Sequence, residues 1–100
     1  MKRHFFHREA LDEFDAAAKA YLIISPALGQ RFYRVIGKLI SEACQSPRTF
    51  RFIRMPVRRH FTREFPYGII YVERPGGIWI LAVMHLHREP GYWKHRRPEP

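Results

Sequence analysis

The sequence predicts an α+β domain in which a short first strand and a two-helix hairpin precede an antiparallel four-strand meander. Apolar residues between positions 8 and 45 recur every three or four places, whereas those from 50 onward recur every second place. Ser46-Pro47 separates the two regions. Helices grouped ahead of strands, rather than alternating with them, are placed together on one side of an antiparallel sheet. With 46% apolar residues, no repeats and no low-complexity stretch, residues 1–100 supply one core and read as a single domain.

Lys2 to Phe6 read as the first strand. Leu11, Phe14, Ala18, Tyr21 and Leu22 then form a helical stripe, with Glu9, Asp12, Glu13, Asp15 and Lys19 on the other side, which predicts an amphipathic helix over 8–24. Ser25-Pro26 supplies an N-cap and a proline at the first position of a second helix. Its stripe is Leu28, Phe32, Val35, Ile36, Leu39, Ile40 and Ala43. Ala16, Ala17 and Ala18 in the first helix and Gly37 in the second are expected where the axes approach, and Ser46-Pro47 ends the second helix. Phe50 and Phe52, then Val57 and Phe61, alternate with polar residues on either side of Met55-Pro56. Tyr67 to Val72 and Ile78 to Leu86 form a hairpin around Glu73-Arg74-Pro75-Gly76-Gly77. The run from Ile78 to Met84 is apolar on both faces, which makes this strand central. One of its faces lies on the helices, and the other lies under either the C-terminal tail or a partner.

Lys and Arg outnumber Asp and Glu by 18 to 9, an excess that attracts nucleic acid, an acidic membrane surface or an acidic protein. Ile78 to Met84, the longest apolar stretch, is far shorter than the roughly 20 residues of a membrane span. Met1-Lys2-Arg3 leads into no hydrophobic signal region, so no membrane partner and a cytoplasmic location are expected. A single cysteine, Cys44, excludes an internal disulfide and reads as a small core or boundary residue. The histidines are scattered and His85-x-His87 is only a two-ligand fragment, so neither a metal nor a cofactor is expected. Gly76 and Gly77 precede no helix and read as a turn rather than a phosphate loop.

The stretches FHREALDEFDAAAKAY, SPALGQRF, Arg58-Arg59 six residues ahead of FPYGIIY, and LAVMHLHREPGYW together cover roughly residues 4–97. In order and spacing they resemble the RelE/ParE superfamily of toxins from bacterial type II toxin–antitoxin pairs. Arg8 departs from the pattern, which commonly has proline after Phe-His. The resemblance implies a growth-arresting toxin with a RelE/ParE-like fold, neutralised by an acidic cognate antitoxin. Within the superfamily, ParE-like members act on DNA gyrase and RelE-like members cut mRNA in the ribosomal A site. The ending His85, Arg88, Pro90, Gly91, Tyr92, Trp93 looks more like the ParE branch. A gyrase inhibitor is therefore the favoured expectation, and a ribosome-dependent, metal-independent mRNA endoribonuclease is the alternative.

Metal-free RNA cleavage requires a base for the 2′-hydroxyl, cations around the phosphorane and an acid for the leaving oxygen. His85 is the first acid/base candidate, because an ordinary imidazole titrates at about 6.5. Tyr92 is the second, and Glu64 a third. Arg58, Arg59 and Arg63 are the candidate phosphate cations, and strand alternation sets Arg59 and Arg63 on one face with Arg58 and His60 on the other. Arg51, Arg54, Arg88 and Trp93 are candidates for target or nucleic-acid contact. Each also has a structural reading: a solvated face for the arginines, a hydrogen-bonded structural role for His85, and an aromatic lid over the sheet for Tyr92 and Trp93. The central strand is expected to deliver His85 to the surface where the arginine-bearing strands end. The tail, from about 88 to 100, holds no residue of the periodic elements, so removal of 92 to 100 is expected to spare the fold.

Overall fold

Ser25 starts the second helix where the sequence places it: its hydroxyl accepts the Leu28 N–H at 3.4 Å, and Pro26 occupies the first helical position. The hairpin thus consists of α1 (Arg8–Ile24) and α2 (Pro26–Gln45), preceded by β1 (His4–Phe6). His7 caps α1 by accepting the Glu9 N–H at Nδ1. β2 (Phe52–Arg54), β3 (Val57–Phe61), β4 (Tyr67–Arg74) and β5 (Gly77–His85) follow, the last two joined by a tight Pro75-Gly76 turn. The computed structural model describes residues 1–98.

The architecture is α+β, and the sheet runs β1-β5-β4-β3-β2. The antiparallel meander is present as β2 to β5, but β1 joins it parallel to β5, so the sheet is five-stranded and mixed rather than four-stranded and antiparallel throughout. The helical hairpin and three strands between β1 and β5 provide the long connection that parallel pairing requires.

The helices cover one face, where Phe32, Ile36 and Ile40 pack with Ile69, Tyr71, Ile78, Ile80 and Val83. Phe14, Ala18 and Tyr21 of the expected α1 stripe meet the core, but the two leucines do not. Leu11 and Leu22 are 43% and 36% exposed, whereas Ala10, Ala17 and Ala18 are buried. Methyl-sized side chains let the helix lie close to β5, and the leucines are left at its flanks. The close approach between the helices is also not at Gly37, which faces open space. It is at Gly29, where a Cβ would overlap Leu22.

On the opposite face Ile70, Val72, Leu81 and Ala82 pack under Trp93, so the second cover is the C-terminal tail. Gly91, at φ +77°, reverses the chain to bring the tail back. A Cβ at Gly68 would overlap the ring of its cross-strand neighbour Phe61, so glycine there makes room for that aromatic. No helix among the described residues is long and apolar enough to cross a membrane.

Candidate functional site

The geometry around His85 is set by one extra residue. Ile70 pairs with Ala82 and Tyr71 with Ile80, which leaves Leu81 as a bulge in β5. Ile78 and Ile80 face the helices before it, and Val83 does so after it, while Leu81, Ala82 and Met84 face the tail. His85, in phase with Val83, therefore turns toward α1. It lines a cleft of ≈290 Å³ with Glu13, Ala16, Ala20, Tyr67, Arg88 and Tyr92.

Arg59, in phase with Val57 and Phe61, lies on the other side of the sheet. Its guanidinium stacks on Phe61 at 4.9 Å and borders a groove of ≈380 Å³ with Arg51, Arg88, Met84 and Trp93. The structure does not bring His85 and Arg59 to one surface as expected from an unbroken strand. Among the described residues, Arg88 alone borders both hollows.

His85 packs edge-on against Tyr67, with centroids 5.0 Å apart, and its Nδ1 accepts the His87 N–H at 3.0 Å. A neutral ring held this way carries its proton on Nε2, which donates but does not accept. The Tyr92 ring lies under the Arg88 guanidinium at 3.9 Å. Its hydroxyl is buried in the cleft that Glu13 also lines and, among the described residues, has no hydrogen-bond partner. Burial first, and then the Glu13 carboxylate, push the phenol above its ordinary range, which makes it a weak acid. Trp93 is 5% exposed and forms part of the second apolar cluster, so its ring face is not free for a base.

The remaining cations divide between structural use and exposure. Arg58 stacks over Phe52 at 3.7 Å and donates to the carbonyls of Phe50 (2.8 Å) and Arg48 (3.3 Å), which ties the α2–β2 connection to the sheet. On the same face, as alternation predicts, His60 stacks on Phe50 at 3.7 Å and bonds Glu42 at 2.8 Å. Arg51, Arg54 and Arg63 are exposed, Arg63 in the β3–β4 connection. Glu64 forms an exposed pair with Arg31 at 2.9 Å and does not line the His85 cleft.

The residues that hold this region together escape a helical-wheel reading. β1 ends opposite Ile80, so β5 beyond that point has no strand on that side and its backbone groups need other partners. Glu13 accepts the Val83 N–H at 3.1 Å, and Arg96 donates to the Leu81 carbonyl at 2.9 Å. Arg96 also grips Glu13 with both terminal nitrogens, at 2.9 and 3.0 Å. Its Nε lies 2.9 Å from Glu9 Oε2, which His95 Nε2 also meets at 2.9 Å. The tail is thus a fastened part of the fold, contrary to the expectation that 92 to 100 is dispensable. A carboxylate one helical turn inside α1 and a basic tail are the available signals, but nothing in either segment pairs them. Residues 99 and 100 of the expected tail lie outside the described residues.

Comparison of the chain with protein-family models gives no match, and comparison with curated proteins gives none.

Proposed function

We propose that this chain is a ParE-like toxin that arrests growth by contact with DNA gyrase, acts in the cytoplasm and is neutralised by an acidic antitoxin. The ordered resemblance over residues 4–97 supports the superfamily. The separation of Arg59 from His85 on opposite sides of the sheet carries the preference for a binder over a nuclease. In-line cleavage needs acid, base and cations within hydrogen-bond reach of one phosphate. Here the first-ranked imidazole sits against α1, and the buried phenol of Tyr92 is a weak acid. A contact surface needs only exposed cations among exposed apolar groups. The outer groove and the β2 edge offer this, with exposed Arg51 and Arg54 and half-buried Arg59 beside Ile53, Met55 and Leu86. The same excess of positive charge suits an anionic antitoxin segment folded across it.

One observation favours the RelE-like alternative: His85 and Arg88 share a cleft with Tyr92. The deciding experiment expresses the chain and compares gyrase supercoiling with codon-phased cleavage of translated message. The expected result is inhibited supercoiling and intact message, with Arg51→Ala, Arg59→Ala reducing inhibition by about tenfold or more and His85→Ala altering it less than about twofold. Cuts confined to ribosome-engaged message and abolished by His85→Ala overturn the gyrase reading.

A further inference from the structure

The cleft between α1 and the end of β5 holds ≈290 Å³, close to the lower bound of about 300 Å³ for small-molecule sites. Its lining is of two kinds. Ala16, Ala17 and Ala20 lie side by side or one helical turn apart on α1, and with Val83 they make a wall of methyl groups. Side chains of that size leave the wall flat. Glu13, Tyr67, His85, Arg88 and Tyr92 supply the rest.

What the cleft can take depends on which of these polar groups are still free. Glu13 brings the one carboxylate, and it is committed to the Val83 N–H and to both terminal nitrogens of Arg96. The Tyr92 hydroxyl is closed off from solvent and is not offered to an occupant. Three groups are left. The Tyr67 hydroxyl, the His85 Nε2 and the Arg88 guanidinium enter no hydrogen bond or ion pair among the described residues, and none is sealed from solvent. Each offers a donor. His85 Nδ1 accepts the His87 N–H, which leaves the proton of the neutral ring on Nε2. Burial first, and then Tyr21 and Glu13, hold the Tyr67 phenol above its ordinary range, so it keeps its proton. Arg88 is set in place by a turn, its N–H donating to the His85 carbonyl at 3.0 Å, and by stacking on Tyr92 at 3.9 Å. Stacking occupies the faces of a guanidinium and leaves its in-plane N–H donors free.

We propose that this cleft binds a small aromatic carboxylate, with its ring against the methyl wall of α1 and its oxygens toward Arg88, His85 and Tyr67. The unmatched charge in the cleft is that of Arg88, since Arg96 balances Glu13. One carboxylate balances it. A phosphate monoester carries about two negative charges and sets the second against Glu13. A planar body covers the flat wall without the rotamer entropy that a flexible chain loses on binding. The site lies on the α1 side of the sheet, apart from the groove that holds Arg51 and Arg59, and it stands whichever target the toxin attacks.

The test titrates the full chain with benzoate and follows the alanine, valine and histidine side chains by carbon–proton NMR. Benzamide keeps the ring without the charge, acetate keeps the charge without the ring, and phenyl phosphate carries the larger charge. Benzoate is expected to bind saturably and at least about tenfold tighter than each of the three. The shifts are expected at the methyls of Ala16, Ala17, Ala20 and Val83 and at the His85 ring. Arg88→Gln, which removes the charge, and Ala20→Leu, which fills the cleft from an exposed position, are each expected to weaken binding by about tenfold or more. Equal binding by benzamide or acetate, or full affinity in either folded variant, overturns the proposal. So does phenyl phosphate binding as tightly as benzoate, which makes the cleft a phosphate site, and so do shifts centred on Met84 and Leu86, which move the ligand to the outer groove. Melting curves identify a variant that fails to fold, and the other variant then decides.

Discussion

Replacing Arg96 by methionine removes one guanidinium from three sets of partners while keeping an unbranched apolar stem in place. Arg96 and Glu13 retain only 6% and 17% of their side-chain exposure, so the pair is largely withdrawn from water. Without Arg96 the Glu13 carboxylate loses a bidentate donor and the Leu81 carbonyl loses its only described partner on that edge. Breaking a buried pair from one side costs about 3–5 kcal/mol. Glu13 keeps the Val83 N–H and some solvent, which argues for the lower end, about 3 kcal/mol. A 100-residue domain is stable by about 5–15 kcal/mol, so this is a substantial part of the total. At about 4–8 °C per kcal/mol, the melting temperature falls by roughly 12–24 °C. Circular-dichroism melts at neutral pH measure it. Glu13→Gln retains an acceptor for Val83 but not the charge, and the double-mutant cycle with Arg96→Met is expected to give a coupling of about 2 kcal/mol. A melting temperature within about 3 °C of the parent, or a coupling below roughly 0.5 kcal/mol, would falsify the view that this pair fastens the tail.

Three further outcomes follow from single features. Gly68→Ala is expected to cost about 1–3 kcal/mol by overlap with the Phe61 ring, and adding Phe61→Leu should recover most of it in denaturant titrations. Hydrogen bonding from Arg48 first, and then from Lys2, holds the Glu73 carboxyl below its ordinary range, and a bond from His95 does the same for Glu9. Depressed carboxyls contribute fully above about pH 4.3 and lose that contribution as pH falls through their folded values. Melting temperature should therefore decline below that point, and Glu73→Gln should lower stability at neutral pH while flattening the acid limb. Burial pushes the Tyr71 phenol up to about 12, with its hydroxyl donating to the Pro47 carbonyl at 2.7 Å. A raised phenol contributes below about pH 10 and loses that contribution as pH climbs through its folded value, so phenolate absorbance should show a late component, shared with Tyr92, that shrinks by one tyrosine in Tyr71→Phe.

The parts of the fold legible in the sequence are those whose cause is local. Ser25-Pro26 contains both the cap and the first helical residue of α2, and Pro75-Gly76 contains the turn of the last hairpin. Alternation places Arg58 and His60 on one face because β3 is regular. It fails for His85 because Ile78 to Met84 is apolar throughout, and a run without polar residues has no visible phase in which a bulge could be noticed. The buried stripe of α1 is misread only at Leu11 and Leu22, for a related reason. Leucines look more buried than alanines, but the distance to β5 favours Ala10 and Ala17 beside the expected Ala18. Glu13 reads as a solvent-facing residue because its partners, the edge of β5 and Arg96, become neighbours only in the folded chain. In the site itself, residue type is enough to pick out the arginines and His85, whereas their division between two sides of the sheet comes from Leu81.

The Glu13–Arg96 clasp spans 83 residues of chain, and this imposes an order on synthesis as well as on structure. α1 is among the first elements to leave the ribosome, yet its carboxylates must wait for a guanidinium made near the end of these residues. Until Trp93 has emerged, the outer side of Ile70, Val72, Leu81 and Ala82 is uncovered and the open stretch of β5 lacks its fastening. A chain released early is therefore left with wet apolar strands and an unpaired edge, the features that chaperones and proteases act on. Closure of the tail distinguishes a finished molecule from an interrupted one, before any partner has been met.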